Sequence, residues 1–190
     1  MALENDRLFL REALADLRDY LLSPELYRPL RTRSEGGIHL PQLTIGSLML
    51  SRSRLQALEL AGRPEPGLAE ISAQIDEIRR EWRTNWGLKA GREYLSRINL
   101  WQQFIRELST DVRRRSPVYA AEVRVRAILH LLRSEVIDLP AAQEEQLAML
   151  DQILRGLTQP GPFVWESDLA AGFGREDFWF LYVSFPGEAR

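Results

Sequence analysis

The sequence predicts an all-α protein, an elongated antiparallel bundle of about five helices built on one long helix and closed by an aromatic-rich extended C-terminal strap. Three observations carry that expectation. Apolar residues recur at three- and four-residue spacing through most of the first 157 positions, the period of one helical face. Proline and glycine gather at a few junctions, chiefly 62–67 and 158–162, and leave the periodic runs between them intact. Eight of the aromatics, beginning at Phe163 and ending at Phe185, fall within residues 161–190, where the helical period is lost.

The first helix is expected over residues 3–22. Leu3, Leu10, Leu14, Leu17 and Leu21 form its stripe, with Phe9 and Ala13 beside them and charged residues opposite. Ser23-Pro24 ends it, because a residue before proline is pushed out of the α region. Residues 25–40 are irregular, with Pro29, the cluster Arg28, Arg31 and Arg33, and then Gly36-Gly37. A second helix over about 43–61 offers Leu43, Leu48, Leu50, Leu55, Leu58 and Leu60 to a core. Two prolines and two glycines in residues 62–67 then break the chain.

The central element is expected to run from Leu68 to Val112. Leu68, Ile71, Ile75, Ile78 and Trp82 follow a 3-4-3-4 seam, and a second seam takes Leu88, Gly91, Leu95, Ile98, Ile105, Leu108 and Val112. The phase shifts between them near Gly87, so one helix with a kink at that glycine is the expectation, and Gly87→Ala should be neutral or stabilising. Such a helix would be about 68 Å long, whereas a compact globule of this size is about 42 Å across. Ser116 and Pro117 are a natural N-cap and first helical residue for a helix over 117–135. Asp138 is placed to cap a last helix over 140–157, with Leu147, Leu150, Leu154 and Leu157 on its seam.

In the tail, residues 178–185 alternate well enough to be a strand or extended strap. A segment such as FWFLYV cannot be left in water without inviting aggregation, so it is expected to be buried. The chain then reads as one helical bundle domain over 1–160, with 161–190 packed on that domain.

Composition bounds the chemistry. With no cysteine, disulfides, thiol catalysis and cysteine-bound zinc are excluded. His39 and His130 are the only histidines, too few for a histidine metal site or a Ser–His–Asp triad. No phosphate-binding glycine loop, zinc-protease or nucleophile-elbow motif occurs, so neither cofactor nor catalytic residues are assigned. The adjacent acids Asp76-Glu77 and Glu144-Glu145 read as solvated helix faces. Glu166, Asp168, Glu176 and Asp177, set among aromatics, keep an enzyme as a third reading only. The charged N-terminal stretch has no apolar core of a signal peptide, and no run is long enough to span a membrane, so a cytoplasmic location is expected.

Charge is distributed unevenly. Residues 1–78 carry a net charge of −3, residues 79–133 carry +8, and residues 134–190 carry −7. The block from Arg79 to Arg133 has two readings. Its arginines are neutralised by the acidic last helix lying antiparallel to them, or they present a nucleic-acid or other anion surface through Arg113, Arg114, Arg115, Arg124 and Arg126. The tail likewise either closes the core or offers Trp179, Tyr182 and Phe185 as a partner-binding edge. The function expected from these readings is a non-enzymatic assembly or adaptor protein that works through a protein partner or self-association. A nucleic-acid-associated protein using Arg79 to Arg133 is the alternative.

Overall fold

Each amphipathic run of the sequence becomes a helix with its apolar stripe turned inward. The computed structural model describes residues 2–30 and 40–186; Arg31, Arg33, Gly36, Gly37 and His39 lie outside the described residues. α1 (Ala2–Leu22) buries Phe9, Leu10, Ala13, Leu17, Tyr20 and Leu21 along one side. α2 (Ile45–Leu60) begins two residues later than its periodicity suggests, because Thr44 and Ser47 form a capping box. The Ser47 N–H donates to Thr44 Oγ1 and the Thr44 N–H donates to Ser47 Oγ, both at 3.0 Å. Leu60, at 69% exposed, contributes nothing to the core. Residues 62–67 turn the chain through Gly62 and Gly67, whose positive φ values, 79° and 80°, side-chain-bearing residues rarely adopt.

The central element is two helices rather than one, and the break lies five residues before Gly87. α3 (Leu68–Glu81) and α4 (Arg83–Thr110) meet at Trp82, where φ is −109° and ψ is 33°. Hydrogen bonds from Trp82 N–H to Ile78 and from Trp86 N–H to Trp82, both 2.9 Å, carry the chain through the turn. The rotation changes which residues of α4 face inward. Trp86, Ala90, Tyr94, Ile98, Trp101, Ile105 and Leu108 are buried, whereas Leu88 and Leu95 of the expected seam are 62% and 43% exposed. The α3 seam and the buried face of α4 are out of phase on a straight axis, and the turn at Trp82 lets both meet one core while Leu88 and Leu95 turn outward. It also removes the length mismatch, since the 28 residues of α4 span about 42 Å.

Gly87 therefore has a different role from the one expected. It sits inside α4 at helical φ, but a Cβ there would lie 2.5 Å from Ile137 Cγ1 and 2.6 Å from Ile137 Cδ1. Gly87→Ala is expected to leave the urea midpoint close to the parent's, the gain of about 1 kcal/mol in helix propensity being offset by the shift it forces on Ile137, which is 57% exposed and has room to turn outward. Combined with Ile137→Ala, the same change should become stabilising relative to Ile137→Ala alone. A midpoint that rises for Gly87→Ala by itself would show that Ile137 yields freely.

After α4, Asp111 caps the single turn α5 (Val112–Arg115) by accepting the Arg114 N–H at 3.1 Å. A 3-10 turn over Ser116–Val118, with Pro117 in its first positions, leads into α6 (Tyr119–Arg133). Ser116 thus starts the turn rather than capping the helix. α7 (Ala141–Leu157) is preceded by Pro140 in extended conformation, so Asp138 is not its cap. Arg126 pairs with Asp151 and Arg133 with Glu144. Partner numbers that fall as the others rise show that α7 runs antiparallel to α6.

The tail packs on the bundle as a closed loop. β1 (Gln159–Pro160) pairs antiparallel with β2 (Val183–Ser184), and the intervening chain forms 3-10 turns at Ser167–Gly172 and Trp179–Leu181. Residues 178–185 are therefore mostly a turn, not an extended strap, because Phe178, Phe180 and Leu181 all need to reach the interior. Phe173 and Phe180 are fully buried, and Phe173 meets Phe178 edge-on at 5.0 Å. The Tyr119 hydroxyl donates to Phe180 O at 2.7 Å, and the Trp165 indole N–H donates to Ala120 O at 2.8 Å. Both bonds fasten the loop to the start of α6.

Candidate functional site

A cleft of about 800 Å³ opens between α2, α3, the first turn of α4 and residues 134–137. Its floor is built from two ion pairs. Arg52 of α2 grips Asp76 of α3 bidentately, Nη1 to Oδ1 at 2.7 Å and Nη2 to Oδ2 at 2.8 Å. Those hydrogen bonds, ahead of any other influence, hold the Asp76 carboxyl below the usual carboxylate range. Arg79 of α3 grips Glu135, which follows α6, with Nη2 to Oε1 at 2.8 Å and Nε to Oε2 at 2.7 Å. The Trp86 indole N–H donates to the same Glu135 Oε2 at 2.8 Å. Glu135 is 5% exposed along its side chain, so its charge is buried with full compensation.

Two further arginines line the cleft without such partners. Arg80 lies in the last turn of α3 and Arg83 opens α4, both exposed. Neither has a hydrogen-bonded or ion-paired acid among the described residues. The turn at Trp82 is what places them together. Asp76, Arg79 and Arg80 lie on one side of α3 at three- and four-residue spacing, and the turn brings Arg83 of α4 to the same cleft. Met49, Ile137 and the Trp86 ring add apolar wall to this cationic rim. The arrangement suits an anionic partner that also brings apolar side chains. Among the described residues, no three histidines or carboxylates converge as a metal-ion set.

The arginines singled out from the sequence are dispersed. Arg113 and Arg114 project from the single turn α5 and are exposed. Arg115 pairs with Glu107 at 2.7 Å and lies 5.3 Å from the Phe104 ring centroid. Arg126 is buried, held bidentately by Asp151 at 2.9 and 2.8 Å and stacked 4.4 Å from the Phe180 centroid. Arg124 faces a different cavity, near Asp6 and Arg54. Three pairs, Arg79–Glu135, Arg126–Asp151 and Arg133–Glu144, join the basic block to the acidic C-terminal third. Lys89, the single lysine, is buried over the Tyr20 ring at 4.1 Å, and loss of water pushes its pKa down to about 8.

The aromatic edge read from the tail is largely spent within the chain. Phe185 is 4% exposed and meets Tyr119 edge-on at 5.1 Å. The Tyr182 hydroxyl donates to Phe173 O at 2.7 Å, and Arg155 lies 3.6 Å from the Trp179 centroid. His130 is half-buried 4.5 Å from the Phe178 ring, and burial lowers its pKa. Arg52, Arg80, Arg83 and Glu135 were not singled out by sequence reasoning. Arg80 and Arg83 lay within the basic run that begins at Arg79, but Arg52 and Glu135 carried no local signal, Glu135 because its partners lie 49 and 56 residues away.

Comparison with protein-family models, with curated proteins and with solved structures finds no match to this chain. Among the described residues, no helix is long and apolar enough to cross a membrane.

Proposed function

We propose that this chain is a non-enzymatic adaptor that holds an acidic, partly apolar segment of a protein partner in the cleft between α2, α3 and α4. The observation that carries this reading is the pair Arg80 and Arg83, two cations with no acid bound to them among the described residues, set beside Ile137 and Trp86. Arg52 and Arg79 are already neutralised by Asp76 and Glu135, which fixes the floor and leaves the rim to discriminate by charge. A nucleic acid is less well served. Its binding scales with the number of phosphates met by free basic groups, and Arg79, Arg97, Arg115, Arg126 and Arg133 are engaged by acids of this chain.

The test is fluorescence anisotropy with three labelled probes of matched length: a Glu/Leu peptide, a Lys/Leu peptide and a single-stranded oligonucleotide. The Glu/Leu peptide is expected to bind, and to bind more weakly as salt rises. Arg80→Glu with Arg83→Glu should weaken it by about tenfold or more while leaving the helical circular-dichroism signal unchanged, since exposed substitutions cost about 0.5 kcal/mol or less. An oligonucleotide that binds more tightly than the peptide, or peptide binding indifferent to the double reversal, would overturn the proposal.

A further inference from the structure

A second cavity, about 540 Å³, lies between α1, α2 and α6 and shares no lining residue with the cleft. Three guanidiniums line it: Arg54 from α2, Arg97 from α4 and Arg124 from α6. Arg54 is the informative one, because its side chain is only 3% exposed. Its Nε donates to Asp6 Oδ2 at 2.8 Å, and its Nη2 stands 3.8 Å from Glu166 Oε2. Its Nη1 is buried with no hydrogen-bond partner among the described residues. A guanidinium carries five donors, and a buried charged donor left unpaired is among the costliest polar defects a fold carries.

The acids nearby do not remedy this. Asp6 divides its oxygens between Arg54 and the Ser51 hydroxyl, which donates at 2.7 Å. Glu93 is occupied by Arg97 Nε at 3.1 Å, by the Thr44 hydroxyl and by the Gly46 N–H. Arg124 stands exposed at the mouth with no hydrogen bond or ion pair among the described residues. Partial desolvation of its head within the mouth lowers its pKa and the Arg54 charge lowers it further, while Asp6 and Glu166, within electrostatic reach, act the other way. Two cations line one cavity, one of them buried and incompletely paired, and their combined field favours an anion there. Charge-assisted hydrogen bonds to guanidinium are the strong, directional kind that select carboxylate and phosphate. The volume falls within the range of about 300–1,000 Å³ that small-molecule sites occupy, and Leu50, Val125 and Ile128 supply apolar wall.

We infer that this cavity binds a small organic anion, a carboxylate or a phosphate monoester with a compact apolar body, whose oxyanion is held by the Arg124 guanidinium with the buried Arg54 charge behind it. The inference does not rest on the cleft. Titration calorimetry at constant ionic strength, with phenyl phosphate, benzoate and inorganic phosphate as probes, tests it. Saturable binding of phenyl phosphate or benzoate is expected, and whichever of the two binds more tightly identifies the oxyanion as phosphate or carboxylate. Arg124→Gln, an exposed change that should not disturb folding, should weaken binding by about tenfold, the scale of one lost charge-assisted hydrogen bond. Asp6→Asn with Arg54→Met removes both partners of the buried pair together and should abolish binding. Arg80→Glu with Arg83→Glu should leave it unchanged. Absence of binding for both organic probes, Arg124→Gln binding as the parent does, or loss of binding through the cleft variant instead, would overturn the inference.

Discussion

Removal of residues 177–190 is expected to leave a chain that no longer folds. The segment contributes Phe178, Phe180, Leu181, Val183 and Phe185, each 8% exposed or less. At roughly 1.5–3 kcal/mol for each large apolar side chain withdrawn from water, their loss amounts to about 8–15 kcal/mol. The stability of a whole domain is about 5–15 kcal/mol, so little or none would remain. The truncation also leaves the Tyr119 hydroxyl without its acceptor at Phe180 and strips β1 of its strand partner β2. The exposed groove would then be lined by Phe104, Tyr119 and Phe173, aromatics that now touch one another or the tail. Circular dichroism and sedimentation of the full-length and truncated chains decide the matter. A truncated chain that stays monomeric and melts as the parent does would show that the tail is dispensable to the fold.

Glu93→Ala is expected to cost about 3–5 kcal/mol, the usual range when one member of a buried charge pair is removed. Glu93 is fully buried in α4 and serves three donors from three places. The Thr44 hydroxyl donates at 2.6 Å, the Gly46 N–H at 2.8 Å and Arg97 Nε at 3.1 Å. It therefore ties the N-terminus of α2, including its capping box, to the middle of α4. Alanine would strand a cation and two neutral donors in the interior. Glu93→Gln keeps the shape and one acceptor, so it should cost less, with Arg97 the main casualty. Gly46→Ala tests the same junction from the other side. A Cβ at that position would sit 2.3 Å from Ile128 Cγ2 and 2.7 Å from Glu93 Oε1. The two substitutions should thus be less than additive when combined. Urea denaturation with an unchanged slope measures all four variants, and a Glu93→Ala midpoint close to the parent's would show that water replaces the carboxylate.

The pairing of charges follows a pattern that composition alone suggests. The basic block and the acidic C-terminal third carry +8 and −7, and α7 lies antiparallel to α6 with Arg126–Asp151 and Arg133–Glu144 in register. The two pairs are not equivalent. Arg126 is 8% exposed along its side chain, so its loss would strand Asp151 in a poorly solvated place. Arg133 and Glu144 are 66% and 44% exposed, and that pair is worth little in water.

The sequence by itself determined what is local and periodic. The inward stripe of α1, the break at residues 62–67, the seam from Leu68 to Ile78 and the heptad-like face of α7 follow from apolar spacing within one helix. The need to cover the aromatic tail follows as well, but whether its own bundle or a partner covers it does not, and the structure places Phe173, Phe178, Phe180 and Phe185 in the bundle's own core. Only the tertiary structure decided the rest. The turn at Trp82 reflects a competition between two seams for one core, and spacing along the chain does not say which residue gives way. Gly87 was read as a flexible point, but what restricts it is Ile137, fifty residues on, which no local pattern predicts. The same holds for the sites. Arg54 looks like one arginine among many until α1, α2 and α6 enclose it, and Glu135 gains Arg79 and Trp86 only when the chain after α6 returns to α3 and α4. Helical period is a property of neighbours in sequence, whereas burial of charge is a property of neighbours in space.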